Sequence, residues 1–363
     1  MRLLICAGGT GGGVYPALAV HSALTTKVLD VDTLWVGGEG GMEEALVKRQ
    51  GITFQSIPAA GLHGVSPARL PRNLATLTRG IFAARKIIKE FMPEVLFFTG
   101  GYVAVPMALA GRSIPSLLYV PDIEPGMALK SLAGFSDAIA VTTEQSQRFF
   151  NKKVYETGYP LRPDLALWSR ETAQRHLGIS GELPTLLVFG GSKGARSINL
   201  VVLNNLRALL VKFEIVHLSG ELDWNYVKHQ REQLPVELAA RYHAMPYLHE
   251  MGAALASADL VLSRAGASCL GEYPLFGLPA ILVPYPHAWR YQKVNADYLT
   301  NRGAAVILED HVLNNELMNT LNVLLENPNK LRAMRAAMFE LSHPRAADKI
   351  AGALMELAGD QSQ

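Results

Sequence analysis

Two short apolar runs in this chain each end in a glycine-rich turn that opens a helical pattern. That recurrence limits the fold more than any other feature. The first run, Met1-Arg2-Leu3-Leu4-Ile5-Cys6-Ala7, leads into Gly8-Gly9-Thr10-Gly11-Gly12-Gly13 and a helical pattern from Pro16. The second, Thr185-Leu186-Leu187-Val188-Phe189, leads into Gly190-Gly191-Ser192-Lys193-Gly194 and a helical pattern through Val202 and Leu206. A buried strand that turns through glycines into a helix start gathers backbone N–H groups at the positive end of the helix dipole. That geometry suits a phosphate or another anion. Its repetition predicts two similar α/β halves facing each other across a cleft.

Length agrees with two halves, since 363 residues exceed one comfortable core and divide into two domains of roughly 150–180 residues. Apolar residues make up 49 % and charged residues 18 %, the latter below the ~25 % of ordinary soluble proteins. The chain can therefore bury a large core and still show water an apolar patch. A net charge of +2 is too small to predict nucleic acid as a partner. Cys6 and Cys269 sit among apolar or Gly/Ala neighbours and predict neither a disulfide framework nor a zinc site, as suits a reducing cytosol. No signal peptide is expected ahead of the first strand, whose apolar run turns straight into glycines. The uncharged stretch 95–111 contains Gly100, Gly101 and Pro106 and reads as strand, turn and helix start. A spanning helix needs about 20 apolar residues, so none is expected.

Strands are expected at 2–7, 33–36, 53–57, 95–98, 116–119, 138–141 and 154–157, then at 185–189, 214–218, 242–244, 260–262, 280–283 and 305–307. Helical patterns separate many of them, among them 16–24, 42–49, 74–91, 198–210 and 295–301. Strands that are apolar throughout belong to parallel sheets covered on both faces. The fold class is α/β, with two Rossmann-like doubly wound domains. Gly158-Tyr159-Pro160-Leu161-Arg162-Pro163 interrupts the pattern and marks the joint. In such sheets ligands bind at the carboxyl ends of strands near the topological switch point, where both glycine turns lie.

The first turn lacks a Walker lysine and places Val14 where a dinucleotide fingerprint wants glycine, so neither motif fits; a tight turn without ligand is the plain alternative. The second turn adds the Ser192 hydroxyl, against the alternative of a structural turn with solvated Lys193 and Arg196. In Ser263-Arg264-Ala265-Gly266-Ala267-Ser268-Cys269-Leu270-Gly271-Glu272, small residues again admit a ligand to the backbone. Glu272, expected about two turns into the following helix, can accept hydrogen bonds from both hydroxyls of a ribose or be a surface acid. Gln292 and Asn295 lie three apart at a helix start and would face a sugar if their loop lines the cleft. His287 reads as a loop residue, without partners for a metal. From 63 to 89 the chain carries Arg69, Arg72, Arg79, Arg85, Lys86 and Lys89 and no acid, interleaved with Leu70, Leu74, Leu77, Ile81 and Ile88. This is either a core helix with a solvated basic face or an attachment to an anionic membrane surface. Exposure of Leu70, Leu74 and Phe82 separates the two. No Ser/His/Asp grouping, CxxC or HExxH occurs, and Asp30-Val31-Asp32 lies at the wrong end of a strand for metal-dependent sugar transfer.

In this order the segments resemble the bacterial MurG family, transferases that add N-acetylglucosamine to lipid I in peptidoglycan synthesis. The resemblance covers nearly the whole chain: GGTGG at 8–12, GGYV at 100–103, GYPLR at 158–162, GGSKGAR at 190–196, SRAGASCLGE at 263–272, then Gln292 and Asn295-Ala296. It implies a GT-B glycosyltransferase fold with domains 1–159 and 160–343 and a last helix, about 344–360, crossing back onto the first. It implies a hexosyltransferase of cell-wall biogenesis, cell shape and division that works without cofactor or metal. The donor would be UDP-N-acetylglucosamine, the acceptor polyprenyl-diphosphate-linked, the product lipid II, and the transfer inverting. The location would be peripheral, on the cytoplasmic face of the cell membrane. By matching position, Arg162, Gly191 and Ser192 would hold the donor diphosphate and Leu248 would pack near the uracil. Glu272 would bind ribose and Gln292 the donor sugar. Thr10, Gly11 and Gly12 would face the acceptor's diphosphate, with Tyr102 nearby.

Two positions depart from the family pattern, both in the acceptor half. The family's first turn ends in histidine, where this chain has Gly13. The family carries HEQN after the strand matching 116–119, where this chain has Tyr119-Val120-Pro121-Asp122 followed by Ile123-Glu124. An inverting transfer needs a base for the acceptor hydroxyl. Asp122, just past a strand, is the candidate, with Glu124 the second; either can equally be a solvated loop acid. A UDP-N-acetylglucosamine 2-epimerase of the same architecture, a related transferase with another lipid-linked acceptor, and a non-catalytic donor-binding subunit stay open.

Overall fold

The structure, a computed structural model, describes residues 1–9, 11–41, 43–61, 66, 69–287 and 290–359. Thr10 and His63 lie outside the described residues. The chain forms two compact units, Met1–Arg162 with His343–Gln363, and Pro163–Ser342, so Arg162 closes the first. The first unit runs β1 (Arg2–Ala7), α1 (Gly11–Lys27), β2 (Asp32–Gly38), α2 (Glu43–Arg49), β3 (Thr53–Ile57), α3 (Leu70–Phe91), β4 (Val95–Gly100), α4 (Ala104–Ala110), β5 (Ser116–Val120), α5 (Met127–Ala133), β6 (Ala138–Val141) and β7 (Val154–Glu156). The second runs α6 (Arg170–Leu177), β8 (Thr185–Phe189), α7 (Arg196–Asn204), α8 (Leu206–Leu210), β9 (Glu214–Leu218), α9 (Trp224–Glu232), α10 (Val236–Ala239), β10 (Tyr242–Met245), α11 (Met251–Ser257), β11 (Leu260–Ser263), α12 (Glu272–Phe276), β12 (Ala280–Leu282), α13 (Tyr291–Thr300), β13 (Ala305–Ile307), α14 (Leu313–Leu325) and α15 (Pro328–Glu340). The last helix, α16 (Ala346–Gly359), returns to the first unit.

Among the described residues, each unit holds one sheet whose paired strands are all parallel. The orders are β3-β2-β1-β4-β5-β6-β7 and β10-β9-β8-β11-β12-β13. Strands form at every expected position, and β4, β5, β6, β9 and β11 are buried from end to end. One face of the first sheet presents Leu4, Val36, Phe98, Leu118 and Ile139 to Ala84 and Ile87 of α3, Met107 of α4 and Leu132 of α5. On the other, α16 packs on α1, β4 and β5. Lys153 Nζ (2.8 Å) and Tyr155 Oη (3.2 Å) both reach the Glu356 carboxylate, and Lys27 pairs with Asp348 at 3.1 Å.

Two helices differ from their expected form. The pattern 198–210 breaks into α7 and α8 at Asn205, whose Nδ2 donates back to the Val201 carbonyl at 2.9 Å, a side-chain bond that competes with helix propagation. In α3 the inward face is Gly80, Ala84 and Ile87. Leu70, Leu74 and Phe82 are 40, 47 and 64 % exposed, so the stripe through Leu70 and Leu74 is not a core stripe. Gly80 is what lets the helix lie close: a side chain there would strike the Pro58 carbonyl oxygen.

Candidate active site

Parallel pairing sets the carboxyl ends of β1, β4 and β5 side by side, with the change of strand order between β1 and β4. The turns that leave β1 and β4 meet backbone to backbone. Gly9, Gly100 and Gly101 have φ of +88°, +114° and +87°, and a Cβ on Gly101 would lie 2.7 Å from the Gly8 carbonyl oxygen. Only glycine permits both the left-handed backbone and this approach. Thr99 Oγ1 donates to the Gly13 carbonyl at 2.7 Å, so the residue in the family's histidine place is packed on β4. Gly11 and Gly12 open α1. Tyr102 is about half exposed, and its ring covers Gly61 closely enough that a Cβ there would sit 2.7 Å from the ring edge.

Asp122 is half-buried just past β5, whereas Glu124 is buried, with Lys130 Nζ 3.9 Å from its carboxylate. Beside them Tyr119 is fully buried against Thr142 Oγ1 at 2.8 Å, and burial raises its phenol well above the ordinary range. Arg162 stacks its guanidinium 4.5 Å from the centroid of the Tyr15 ring on α1.

In the second unit all strands point the same way, so the residues past β8 to β13 share one edge of the sheet. The change of strand order falls between β8 and β11. Gly190, Gly194 and Gly220 are closely packed; Cβ atoms at Gly190 and Gly194 would overlap the backbone of Ala195 and of Ser219. Gly191 differs. Its φ is +92° and a Cβ would meet nothing within 4 Å, leaving its backbone approachable. Gly191 and Ser192 are exposed at the tip of the turn. α7 then starts after Ala195, which supplies no side-chain cap. An uncapped helix start behind an open glycine turn has the geometry that suits an anion.

Three side-chain clusters hold this edge in place. Arg264 donates to Asp310 (2.5 Å), Ser197 Oγ (2.8 Å) and the Val283 carbonyl (3.1 Å), joining the ends of β11, β12 and β13 to α7. Tyr285 covers the guanidinium at 5.2 Å. A buried chain runs from Tyr242 Oη to His217 Nδ1 (2.7 Å), and from His217 Nε2 to Asn199 Oδ1 (2.9 Å); Asn199 Nδ2 donates to the Ser219 carbonyl (2.8 Å) and to Asp223 (2.9 Å). Burial holds the His217 imidazole down, to about 3, so it stays neutral. Tyr273 Oη meets Ser263 Oγ at 2.6 Å beneath the 264–271 turn.

The expected donor residues of the second unit are distributed along this edge. Leu248 follows β10 and is half-buried. Glu272 is the first residue of α12, not two turns in, because a 3-10 turn over Ala267–Leu270 ends at Gly271, which breaks the helix. Gln292 is half-buried near the start of α13 and accepts from the Tyr285 N–H at 2.8 Å, so it shapes its own loop. Asn295 is fully buried and donates to the Ala265 carbonyl at 3.2 Å; it supports the 264–271 turn instead of facing a sugar. Sequence reasoning missed Arg264 with Asp310, and Glu43, which closes under the first glycine turn. The run Gly37-Gly38-Glu39-Gly40-Gly41 was the available signal for Glu43, since glycines so dense mark close packing around a neighbour.

Residues 3–141 match the glycosyltransferase family 28 N-terminal domain and residues 185–350 the family 28 C-terminal domain. A relative from Roseiflexus sp. (strain RS-1) is 39 % identical over 97 % of this chain and 94 % of its own length. It carries the name UDP-N-acetylglucosamine--N-acetylmuramyl-(pentapeptide) pyrophosphoryl-undecaprenol N-acetylglucosamine transferase. One of the same name from Desulforudis audaxviator is 38 % identical over 99 % of both chains. Among solved structures, MurG of Acinetobacter baumannii superposes with a TM-score of 0.77 at 25 % identity, covering 98 % of this chain and 99 % of that one. A UDP-GlcNAc 2-epimerase from Neisseria meningitidis superposes at 0.70 with 14 % identity, over 98 % of this chain and all of that one, a likeness of fold alone. The two units are the Rossmann-like domains of a GT-B fold.

Proposed function

The chain belongs to the MurG family within glycosyltransferase family 28, and on that premise we propose that it transfers N-acetylglucosamine from UDP-N-acetylglucosamine to lipid I, forming lipid II in peptidoglycan synthesis. The observation that carries this reading is the full-length match to transferases of that name, together with the open turn at Gly191 and Ser192 ahead of uncapped α7.

In the proposed mechanism the first-turn N–H groups of α7 and the Ser192 hydroxyl receive the donor diphosphate, and Arg162 adds positive charge. Glu272 accepts from the ribose hydroxyls, Leu248 packs beside the uracil, and Gln292 contacts the sugar. As the acceptor oxygen bonds to the anomeric carbon from one face, the bond to UDP breaks on the other and its electrons leave with the diphosphate. The helix dipole and the donated hydrogen bonds stabilise that charge, a contribution worth several kcal/mol per well-placed donor, on the order of 3. Asp122, accessible at the end of β5, takes the acceptor hydroxyl's proton; Glu124, buried beside Lys130, is the weaker candidate. Thr10, Gly11, Gly12 and Tyr102 would face the acceptor.

A peripheral position on the inner face of the cell membrane is part of this proposal. Leu70, Leu74 and Phe82 stand exposed on α3, with Arg85, Lys86 and Lys89 exposed at its far end. An apolar ridge flanked by cations suits an anionic lipid surface. No helix among the described residues is long and apolar enough to cross a membrane.

The test is a radiolabelled transfer assay from UDP-N-acetylglucosamine with lipid I and a panel of other lipid-linked acceptors, the panel being required by Gly13 and Tyr119-Val120-Pro121-Asp122. Sustained epimer formation without acceptor would overturn the proposal. For the base, Asp122→Asn should lower kcat by about a hundredfold or more and remove the acid limb of its pH profile. Unchanged turnover and profile would end that role.

A further inference from the structure

We propose that Glu43 is a positioning residue of the acceptor turn, locking Gly9 so that the amides at the start of α1 meet the acceptor's diphosphate; this rests on the acceptor role proposed for the first unit. Glu43 opens α2, yet its side chain does not face water: it is 1 % exposed. One carboxylate oxygen accepts from the Gly38 N–H at 2.9 Å and the other from the Gly9 N–H at 3.3 Å. Gly38 ends β2 and Gly9 follows β1, so one side chain ties together the loops leaving two neighbouring strands.

The surroundings are built for that carboxylate. A Cβ on Gly8 would lie 2.8 Å from its Cδ, one on Gly37 would lie 2.9 Å from its Cγ, and one on Gly41 would be 2.5 Å from an oxygen. Replacing any of these glycines would evict the carboxylate or move the turn. A buried carboxylate has to be compensated, and here two N–H dipoles do so. The Gly9 N–H therefore points down to Glu43, which leaves anion binding on this turn to the first turn of α1. It also holds Gly9 left-handed, at φ +88°, where Gly8 meets Gly101.

Full-length wild type and Glu43→Gln would be compared in transfer assays with lipid I varied at saturating UDP-N-acetylglucosamine and the reverse, with UDP calorimetry alongside. The amide accepts through one atom only and sets its NH2 against an N–H. We expect the acceptor KM to rise about tenfold or more, with donor KM and UDP affinity within about twofold. An unchanged acceptor KM, or an equal rise in both KM values, overturns the inference while leaving the transferase reading intact. A wild type that binds UDP but does not glycosylate lipid I overturns both. If Glu43→Gln does not fold, Glu43→Asp, which keeps the charge but cannot span both amides, must show the same split. Failure of both variants to yield UDP-binding protein makes Glu43 a folding residue and overturns the positioning role.

Discussion

Two glycines three residues apart in the second turn should respond to alanine in opposite ways. Both are left-handed, Gly191 at φ +92° and Gly194 at +78°, and a non-glycine residue there costs about 1–2 kcal/mol. At Gly191 nothing lies within 4 Å of the added carbon, so strain is the whole effect. At Gly194 the carbon overlaps the Ser219 carbonyl oxygen and comes within 2.9 Å of its carbon and 3.1 Å of the Gly220 Cα. These are backbone atoms and no rotamer relieves them. Asn199 and the Met245 carbonyl hold Ser219 where it is, at 2.8 and 3.1 Å. Overpacking adds a further ~1–3 kcal/mol. For a unit of this size, with about 2–4 °C lost per kcal/mol, Gly191→Ala should melt ~2–8 °C below wild type and Gly194→Ala well below that. The order reverses in UDP calorimetry per folded molecule. The Gly191→Ala methyl stands where the diphosphate is proposed to approach and should weaken binding at least about tenfold, ~1.4 kcal/mol. If Gly191→Ala binds UDP like wild type, the turn is not the diphosphate cradle. If Gly194→Ala melts no lower than Gly191→Ala, the clash is not real.

Four further outcomes follow from named contacts. Glu272→Gln should weaken UDP binding by about tenfold without changing the melting temperature; unchanged calorimetry would remove Glu272 from the ribose. His217, held down to about 3 by burial, stays neutral in the folded state while the unfolded chain takes up its proton near 6.5. Its contribution is complete above that value and falls as pH drops towards 3, by up to ~1.4 kcal/mol per pH unit. Urea titrations between pH 6.5 and 5 should show a shallower decline for His217→Gln, and equal slopes would contradict the assignment. Arg264→Met leaves Asp310 with Ser197 as its partner among the described residues and should cost about 2–3 kcal/mol in denaturant unfolding, while a loss under ~0.5 would show the cluster to be ornamental to stability. Phe82→Glu, at a site 64 % exposed, should abolish cosedimentation with anionic vesicles and leave thermal stability unchanged; retained binding would point to another surface.

Much of this protein can be read locally. Most strand positions follow from short, mainly apolar runs, because a parallel strand covered on both faces favours apolar side chains. The glycine turns announce close backbone approach, and they lie at the carboxyl ends of β1 and β8. Other features fail to show in the sequence because their partners are remote. Glu43 and Gly9 are 34 residues apart, and Arg264 and Asp310 are 46 apart. Glu272 looked like a mid-helix residue because nothing local reveals that Gly271 breaks the helix after a 3-10 turn. Asn295 looked like a sugar contact because polarity alone does not tell a ligand-facing amide from one buried against the Ala265 carbonyl.

By itself the sequence determined the two α/β halves, their strands, and the family to which the chain belongs, since each depends on residue type and spacing over a few positions. Tertiary structure alone decided which glycines are crowded and which is open, that α3 turns Leu70, Leu74 and Phe82 outward, and that a buried carboxylate lies under the first turn. The physical reason is that backbone conformation answers to neighbours along the chain. Burial, contact and charge compensation depend on neighbours in space, which only the packed sheets bring together.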